Sequence, residues 1–359
     1  GIRDRDAVTR FFAKTFLATH MEEQMLDSRL DDVISWLTNN GMITREGESA
    51  EVLSRIKQRE EAPEEPEEWQ DEMPEWARTT ASVPGLEISK SESPTPIGLT
   101  ARKGPAIFGF AKASQRVTTE PILPDSASMT YSATALGQRV ARLYLNPISG
   151  RMIHDGLQSA MRVMNGTDDV HQVSPLSLIH LVACTPDFLA LWPRKDDIER
   201  IHAAIHSHQR EFLSEPIDSD SERRMKGVLV LEDWINESRM EDLEKNWSVQ
   251  PGDVRSRVDL AEWLLFAMRE ILVEDDELRR MDPIQHKALI EFVGEIHRRV
   301  RHGCRADLLG LVSIRGVGRT RAREMVNLLG VENAADVAAL TEKDRNRLAD
   351  LRGWSPRRV

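Results

Sequence analysis

The sequence predicts a mainly α-helical protein, and three observations carry that reading. Apolar residues recur at steps of three and four through most of the stretch from Ser149 to Arg301, the signature of amphipathic helices. The strand-like segments are short and flank one long interruption, residues 47–127, which holds most of the prolines and Ser/Thr-rich tracts such as SKSESPTP. A glycine-punctuated, arginine-rich stretch then closes the chain. At 359 residues there is room for two or three domains, each with its own core.

In chain order, residues 6–19 fit a helix carrying Val8, Phe11, Phe12 and Phe16. A second helix spans residues 26–39, with Leu30, Val33, Ile34 and Leu37 inward and Gly41 as its stop. Residues 42–44 read as a short strand. After the interruption, 129–133 read as another strand, and Thr134 caps a helix with Leu136, Val140, Leu143 and Tyr144 inward. Two helices, a strand, an insertion, a strand and a helix is the plan of a winged-helix domain, assigned to 1–46 and 128–147. The insertion falls at the wing, where a surface loop tolerates length cheaply. Residues 148–302 then form a bundle of six or seven helices, expected at 150–164, 174–184, 194–213, 220–238, 239–246, 253–273 and 282–302. Beyond it, 306–314 and 319–329 are helical around a tight Arg315–Gly318 turn, and Asn333 and Thr341 cap two further short helices.

Composition narrows the function classes. Hydrophobic residues make up 40% and charged residues 30%, and no run of 18 apolar residues exists to span a membrane. The N-terminus has neither a signal peptide's apolar core nor an initiator Met, so the chain is expected to begin inside something longer. Cys184 and Cys304, far apart and outside any CxxC, read as ordinary thiols in a reducing cytoplasm. The net charge of −11 is segregated. Glu46 to Glu75 holds twelve acidic and three basic residues, whereas Arg298 to Glu324 holds eight arginines against two acids.

No GxxxxGK[ST] loop occurs, so this chain alone is not expected to hydrolyse ATP. His202 and His206 have i, i+4 spacing, but no carboxylate or Cys shares their turns, so no metal is assigned. The acidic run 274–277 reads as a solvated helix end. The specific signal is LLGLVSIRGVGRTRAREMVNLLG, residues 308–330, a helix-hairpin-helix pattern. Gly316 and Gly318 let the backbone approach a phosphate, and free amides at the next helix start point toward it. Arg319, Arg321 and Arg323 are placed around that spot as charge-assisted donors. Such contacts read nucleic-acid backbone rather than sequence.

A second stretch, PGDVRSRVDLAEWLLFAMREILV, puts Val254, Val258, Ala261, Leu265, Met268 and Leu272 on one helix face behind an Asp253 cap. At about 100° per residue Trp263 falls opposite that stripe. On spacing alone it either packs against a neighbouring domain or stacks on a base, with Arg255 and Arg257 nearby.

Four stretches together resemble the archaeal Hel-type DNA helicases, superfamily-two enzymes of the Ski-two-like group related to the helicase part of polymerase theta. They are AVTRFFAKTF with LDDVISWLTNNGMI, SATALGQRVARLYLNP, SVQPGDVRSRVDLAEWLLFAM and RRVRHGCRADLLGLVSIRGVGRTRAR. The likeness spans about three quarters of the chain. It implies that 253–273 is the family's ratchet helix, that Trp263 stacks on a base of the translocating strand, and that a basic residue one or two turns earlier assists. The family pattern has two adjacent Arg after Pro-Gly-Asp; here Arg255 is followed by Ser256, with Arg257 displaced around the helix. The resemblance further implies RecA-like lobes elsewhere in the protein that bind ATP and Mg2+, and a 3′-to-5′ action on single-stranded or forked DNA by a cytoplasmic monomer. A motor-less DNA-binding scaffold and an RNA helicase of the same group are the competing readings.

Overall fold

The computed structural model describes residues 4–46, apart from 16, 17, 19 and 22, and residues 130–349, apart from 169 and 215–219. The expected features at Phe16 and Met129 lie outside the described residues, and Tyr144, expected inward, is 89% exposed. The chain divides into two compact units, Gly1–Arg142 and Leu143–Val359.

In the first unit, α1 (Arg5–Phe12) opens at Asp4, whose carboxylate accepts the Ala7 amide at 2.7 Å. This helix is shorter than the 6–19 span expected. Single-turn bonds from Lys14 N to Phe11 O and Thr15 N to Phe12 O tighten its end, and the Thr15 hydroxyl donates to the Phe12 carbonyl at 2.6 Å. Helix α2 (Glu23–Asn39) buries Leu26, Leu30, Ile34 and Trp36. Arg5 bridges the two helices, donating to Asp31 at 2.6 Å and to the Asp27 carbonyl at 2.9 Å. Strands β1 (Ile43–Glu46) and β2 (Thr130–Ala133) pair antiparallel, Ile43 opposite Ala133 and Glu46 opposite Thr130.

Thr134 then starts α3 (Ala135–Arg142): its hydroxyl accepts the Gly137 amide at 3.0 Å and donates to the Gly41 carbonyl at 2.6 Å. Gly137 is obligatory here, since a Cβ would sit 1.9 Å from the Met42 carbonyl oxygen. The Thr-x-Leu-Gly stretch thus fastens α3 against the turn before β1.

The second unit has helices and connecting loops but no strand among its described residues. Its helices are α4 (Pro147–Met164), α5 (Pro175–Cys184), α6 (Ile198–Ser207), α7 (Ser221–Ile235), α8 (Met240–Trp247), α9 (Pro251–Glu274), α10 (Asp276–Met281) and α11 (Pro283–His302). The single helix expected over 194–213 is broken into α6 and short 3-10 turns at 195–197 and 209–211. The break has a cause. Asp197 turns inward to meet Lys226 of α7 at 2.7 Å, accepts the Arg194 amide at 2.8 Å at the end of the preceding loop, and pairs with Arg200 at 3.3 Å. Both charges are buried. Burial pushes the Asp197 carboxyl up, but the Lys226 and Arg194 hydrogen bonds outweigh it and hold the group below its usual range.

Helix α9 is the spine of this bundle. It packs along α11 and also meets α4, α5 and α7. The expected stripe is buried, together with a flank of Leu264, Ala267 and Ile271. Its start differs from expectation by three residues. Gln250 occupies the cap, Pro251 the first turn, and Asp253 reaches back to accept the Gln250 amide at 3.1 Å.

After α11 come α12 (Leu309–Val312), α13 (Arg319–Leu329), α14 (Ala334–Ala338) and α15 (Glu342–Ala349). They enclose a small core of their own: Cys304, Leu308, Leu311, Val312, Ala322, Met325, Val331 and Leu348. No helix of the described residues is long and apolar enough to cross a membrane.

Candidate nucleic-acid interface

Two places in the second unit gather the residues singled out by sequence. The first is the outer face of α9. Trp263 sits there half-buried, and it has no hydrogen-bond or ring partner among the described residues. Phe266, one turn on, is 41% exposed on the same side. Arg255 is open to solvent and pairs with Asp259 at 3.0 Å, a surface ion pair of the weak kind.

The other two polar positions of this stretch are already engaged. Arg257 donates to the carbonyls of Leu189 at 3.0 Å and Ala190 at 3.4 Å, and to the Ser256 hydroxyl at 2.8 Å. Its side chain is only 14% exposed. The expected free cation is therefore a tether holding the loop after α5 to the start of α9. The cause is angular: one residue past Ser256, it lies about 100° around the helix, over that loop. Ser256 spends its hydroxyl on the Asp253 carbonyl, 3.1 Å away within its own helix.

The second place is the hairpin between α12 and α13. Gly316 adopts φ +90°, the left-handed conformation that the turn needs. Gly318 occupies the cap of α13 with no side-chain cap, so the first-turn amides are left open. The three arginines expected around them divide. Arg321 stays at the hairpin, donating to the Gly316 carbonyl at 2.7 Å. Arg319 and Arg323 turn the other way, toward the end of α7.

Arg319 lies 4.0 Å over the Trp234 ring and donates to the carbonyls of Gly303 at 2.9 Å, Ser238 at 3.0 Å and Trp234 at 3.3 Å. Burial there lowers its pKa. Arg323 makes paired contacts with Glu237 at 2.7 and 2.8 Å and with Asp307 at 2.7 and 3.0 Å. Its hydrogen bonds to Glu237 and then Asp307 raise its pKa. Burial pushes Glu237 up, yet Arg323 and the Arg305 amide bring it below its ordinary value. These two arginines join the hairpin to the bundle instead of facing a phosphate. Arg315, which sequence places inside the turn without a role, is the exposed cation beside Gly316 and has no partner among the described residues. Its position directly before the Gly-x-Gly was the available signal.

Two of the three histidines of the 202–208 stretch are also engaged: His202 meets Glu222 at 2.6 Å and His208 meets Glu211 at 2.7 Å. Among the described residues, no group of three His, Cys, Asp or Glu is arranged to hold a metal ion.

Residues 176–303 match the family model of the archaeal helicase domain 4. The match takes in α5 to α11, and with them Trp263, Arg255, Ser256 and Arg257, and stops before the hairpin. The chain is similar in sequence to archaeal Hel308 helicases. It is 28% identical over 240 residues to the ATP-dependent DNA helicase Hel308 of Methanocella arvoryzae, covering 65% of this chain and 29% of that protein. The Thermococcus kodakarensis Hel308 is 28% identical over 222 residues, 60% of this chain and 18% of the relative. The Pyrococcus horikoshii Hel308 is 29% identical over 199 residues, 54% and 25% of the two chains. The chain thus spans less than a third of the length of these Hel308 relatives. The matched share of this chain is narrower than the three quarters that its four motifs imply.

Proposed function

We propose that this chain is the DNA-binding part of an ATP-dependent, 3′-to-5′ DNA helicase, gripping single-stranded or forked DNA while RecA-like lobes of the same protein supply the motor. In this reading residues 1–46 and 128–147 form a winged helix interrupted by 47–127, 148–302 the ratchet bundle, and 303–359 a helix-hairpin-helix domain. ATP and Mg2+ belong to the lobes. The residues present do not fit them, since the sequence has no phosphate loop and the described residues offer no metal-ligand group.

The observation that carries the reading is Trp263. It lies on the helix that forms the spine of the matched segment, turned from a fully buried stripe and free of partners among the described residues. A half-open indole on a rigid helix is a platform on which any base stacks, which suits a grip that must advance along arbitrary sequence. The open amides behind Gly316, with Arg315 and Arg321 beside them, support a phosphate contact that is equally indifferent to sequence. The chain itself does no bond chemistry in this scheme.

The test is a titration of a labelled oligothymidylate with the 359-residue chain. Trp263→Ala is expected to weaken binding by about 1–3 kcal/mol. Changing Arg315 and Arg321 to Ala is expected to flatten the log–log salt slope by about 0.7 for each phosphate that is no longer neutralised. Unchanged affinity with a lowered melting temperature makes Trp263 a packing residue and sinks the proposal. Tighter binding to oligouridylate than to oligothymidylate moves the reading to an RNA helicase.

A further inference from the structure

Beside Trp263 the outer face of α9 carries a second aromatic, and it continues onto α11. Phe266 follows Trp263 by three residues, so the two rings are neighbours on the helix surface, separated by a rise of about 4.5 Å and about 60° of rotation. Phe266 is 41% exposed although its own helix buries nine apolar side chains. From α11, His297 comes up beside it with ring centroids 6.3 Å apart and planes tilted by 49°.

The surroundings are polar and cationic. Arg301 meets Glu262 of α9 at 3.5 Å, and His297 approaches the same carboxylate at 4.0 Å. Arg269 pairs with its neighbour Glu270 at 3.3 Å. Arg298 is exposed, bonds only the Gly294 carbonyl of its own helix at 3.3 Å, and has no carboxylate partner among the described residues. The local field registers this surplus. His297 is held below its ordinary pKa by burial first; Glu262 opposes this, while Arg301, Arg269 and Arg298 add to it. His302 is lowered by burial and by Arg301 and Arg298.

From these contacts we infer that Phe266 is a second stacking position for single-stranded DNA, backed by His297, with Arg298 and Arg301 holding the phosphate that follows. The inference rests on the reading of Trp263 as the first. The rise between the two rings suits consecutive bases of a drawn-out strand. Glu262 sits between His297 and Arg301, so a phosphate is kept out of the groove between α9 and α11. It is received by the two solvent-facing arginines of α11, Arg298, which is exposed, and Arg301, which is 59% exposed. An apolar ring flanked by cations fits a base with its phosphate better than it fits an apolar protein surface. The grip then spans two helices of the bundle, and a base leaving Trp263 has a next platform.

The experiment compares variants of the 359-residue chain on oligothymidylates of increasing length, with thermal melts as a control for folding. Phe266→Ala is expected to weaken binding about five- to hundredfold on long oligomers and to shift the length at which affinity saturates by about one nucleotide. Phe266→Trp is expected to retain binding. Ile284→Ala, at a 79% exposed apolar residue elsewhere on the bundle, is expected to leave binding unchanged. The pair Arg298→Gln and Arg301→Gln, both on the surface, is expected to lower the salt slope by about 0.7–1.4 and carries the test if Phe266→Ala melts early.

Wild-type affinity for Phe266→Ala and an unchanged slope for the arginine pair, with Trp263→Ala still weakened, overturn this inference and leave the first reading standing. Wild-type affinity for Trp263→Ala as well overturns both.

Discussion

Two tryptophans of the second unit sit in opposite circumstances. Trp234, near the end of α7, is half-buried and held by three neighbours. Its indole nitrogen donates to the Val300 carbonyl at 2.8 Å, Arg319 covers its ring, and a Cβ at Gly303 would fall 2.4 Å from it. Gly303 is the left-handed end of α11, so this joint combines a backbone conformation and a close approach that glycine alone provides. Trp263, equally half-buried, has no hydrogen-bond or ring partner among the described residues. Both lie in helices rich in apolar residues and both have arginines within two turns or across a contact. Residue type does not separate a side chain consumed by the fold from one left for a ligand; the set of partners does.

That contrast can be broken experimentally, beginning where the effect is largest. Trp234→Ala is expected to cost about 3–5 kcal/mol, because it empties a packed joint and uncovers a half-buried guanidinium. Denaturant unfolding measures it, and a cost near zero would remove the distinction drawn above. At Trp263 the same substitution is expected to act on DNA affinity and to leave stability within about 1 kcal/mol.

Next in size is Arg323→Ala, which strands Glu237 and Asp307 without their cation; about 2–3 kcal/mol of stability is expected to go. Lys at this position restores only part, since it lacks the planar fork that meets both carboxylates. Salt-slope measurements at a temperature where the variant is folded sharpen the point. An unchanged slope means Arg323 is a joint residue, and a reduced one returns it to the phosphate site.

A smaller effect comes from His154 of α4, which bonds Asp275 at 3.1 Å and lies 3.5 Å from Asp155. Burial lowers its pKa, but the Asp155 and Asp275 hydrogen bonds more than reverse this and bring it to about 9. The folded state therefore binds the proton more tightly than the unfolded chain. This stabilisation is whole below about pH 6.5 and is lost as pH rises through about 9. Melting temperature is expected to fall across that window by an amount worth about 1–2 kcal/mol after screening. In His154→Gln the fall is expected to vanish; a fall that persists assigns it elsewhere.

Much of the helical plan was legible because local chemistry dictates it. Asn333 and Thr341 cap their helices as expected, accepting the Asp336 and Asp344 amides, and the apolar stripe of α9 is buried as its period implies. What was hidden depends on residues far away in the chain. The break in the 194–213 helix is set by Lys226, 29 residues on from Asp197. The fate of Arg323 is set by Glu237, 86 residues back. Sequence shows that an arginine follows the hairpin; it does not show that a carboxylate from another helix will be waiting. Phe266 escaped notice for a related reason, since a Phe beside a core stripe reads as core until the helix next to it is placed.

The pairing of β1 with β2 has a consequence in time. The chain is made from its N-terminus, and the partner of Ile43 is Ala133, with Gly137 needed against Met42 a few residues later. At about 5–20 residues per second, roughly 5–20 s separate the synthesis of β1 from that of α3. Through that interval Leu26, Leu30, Ile34 and Met42, all buried in the finished unit, have no β2 or α3 to cover them. The two helices before β1 are thus made well ahead of the strand and helix that complete their unit.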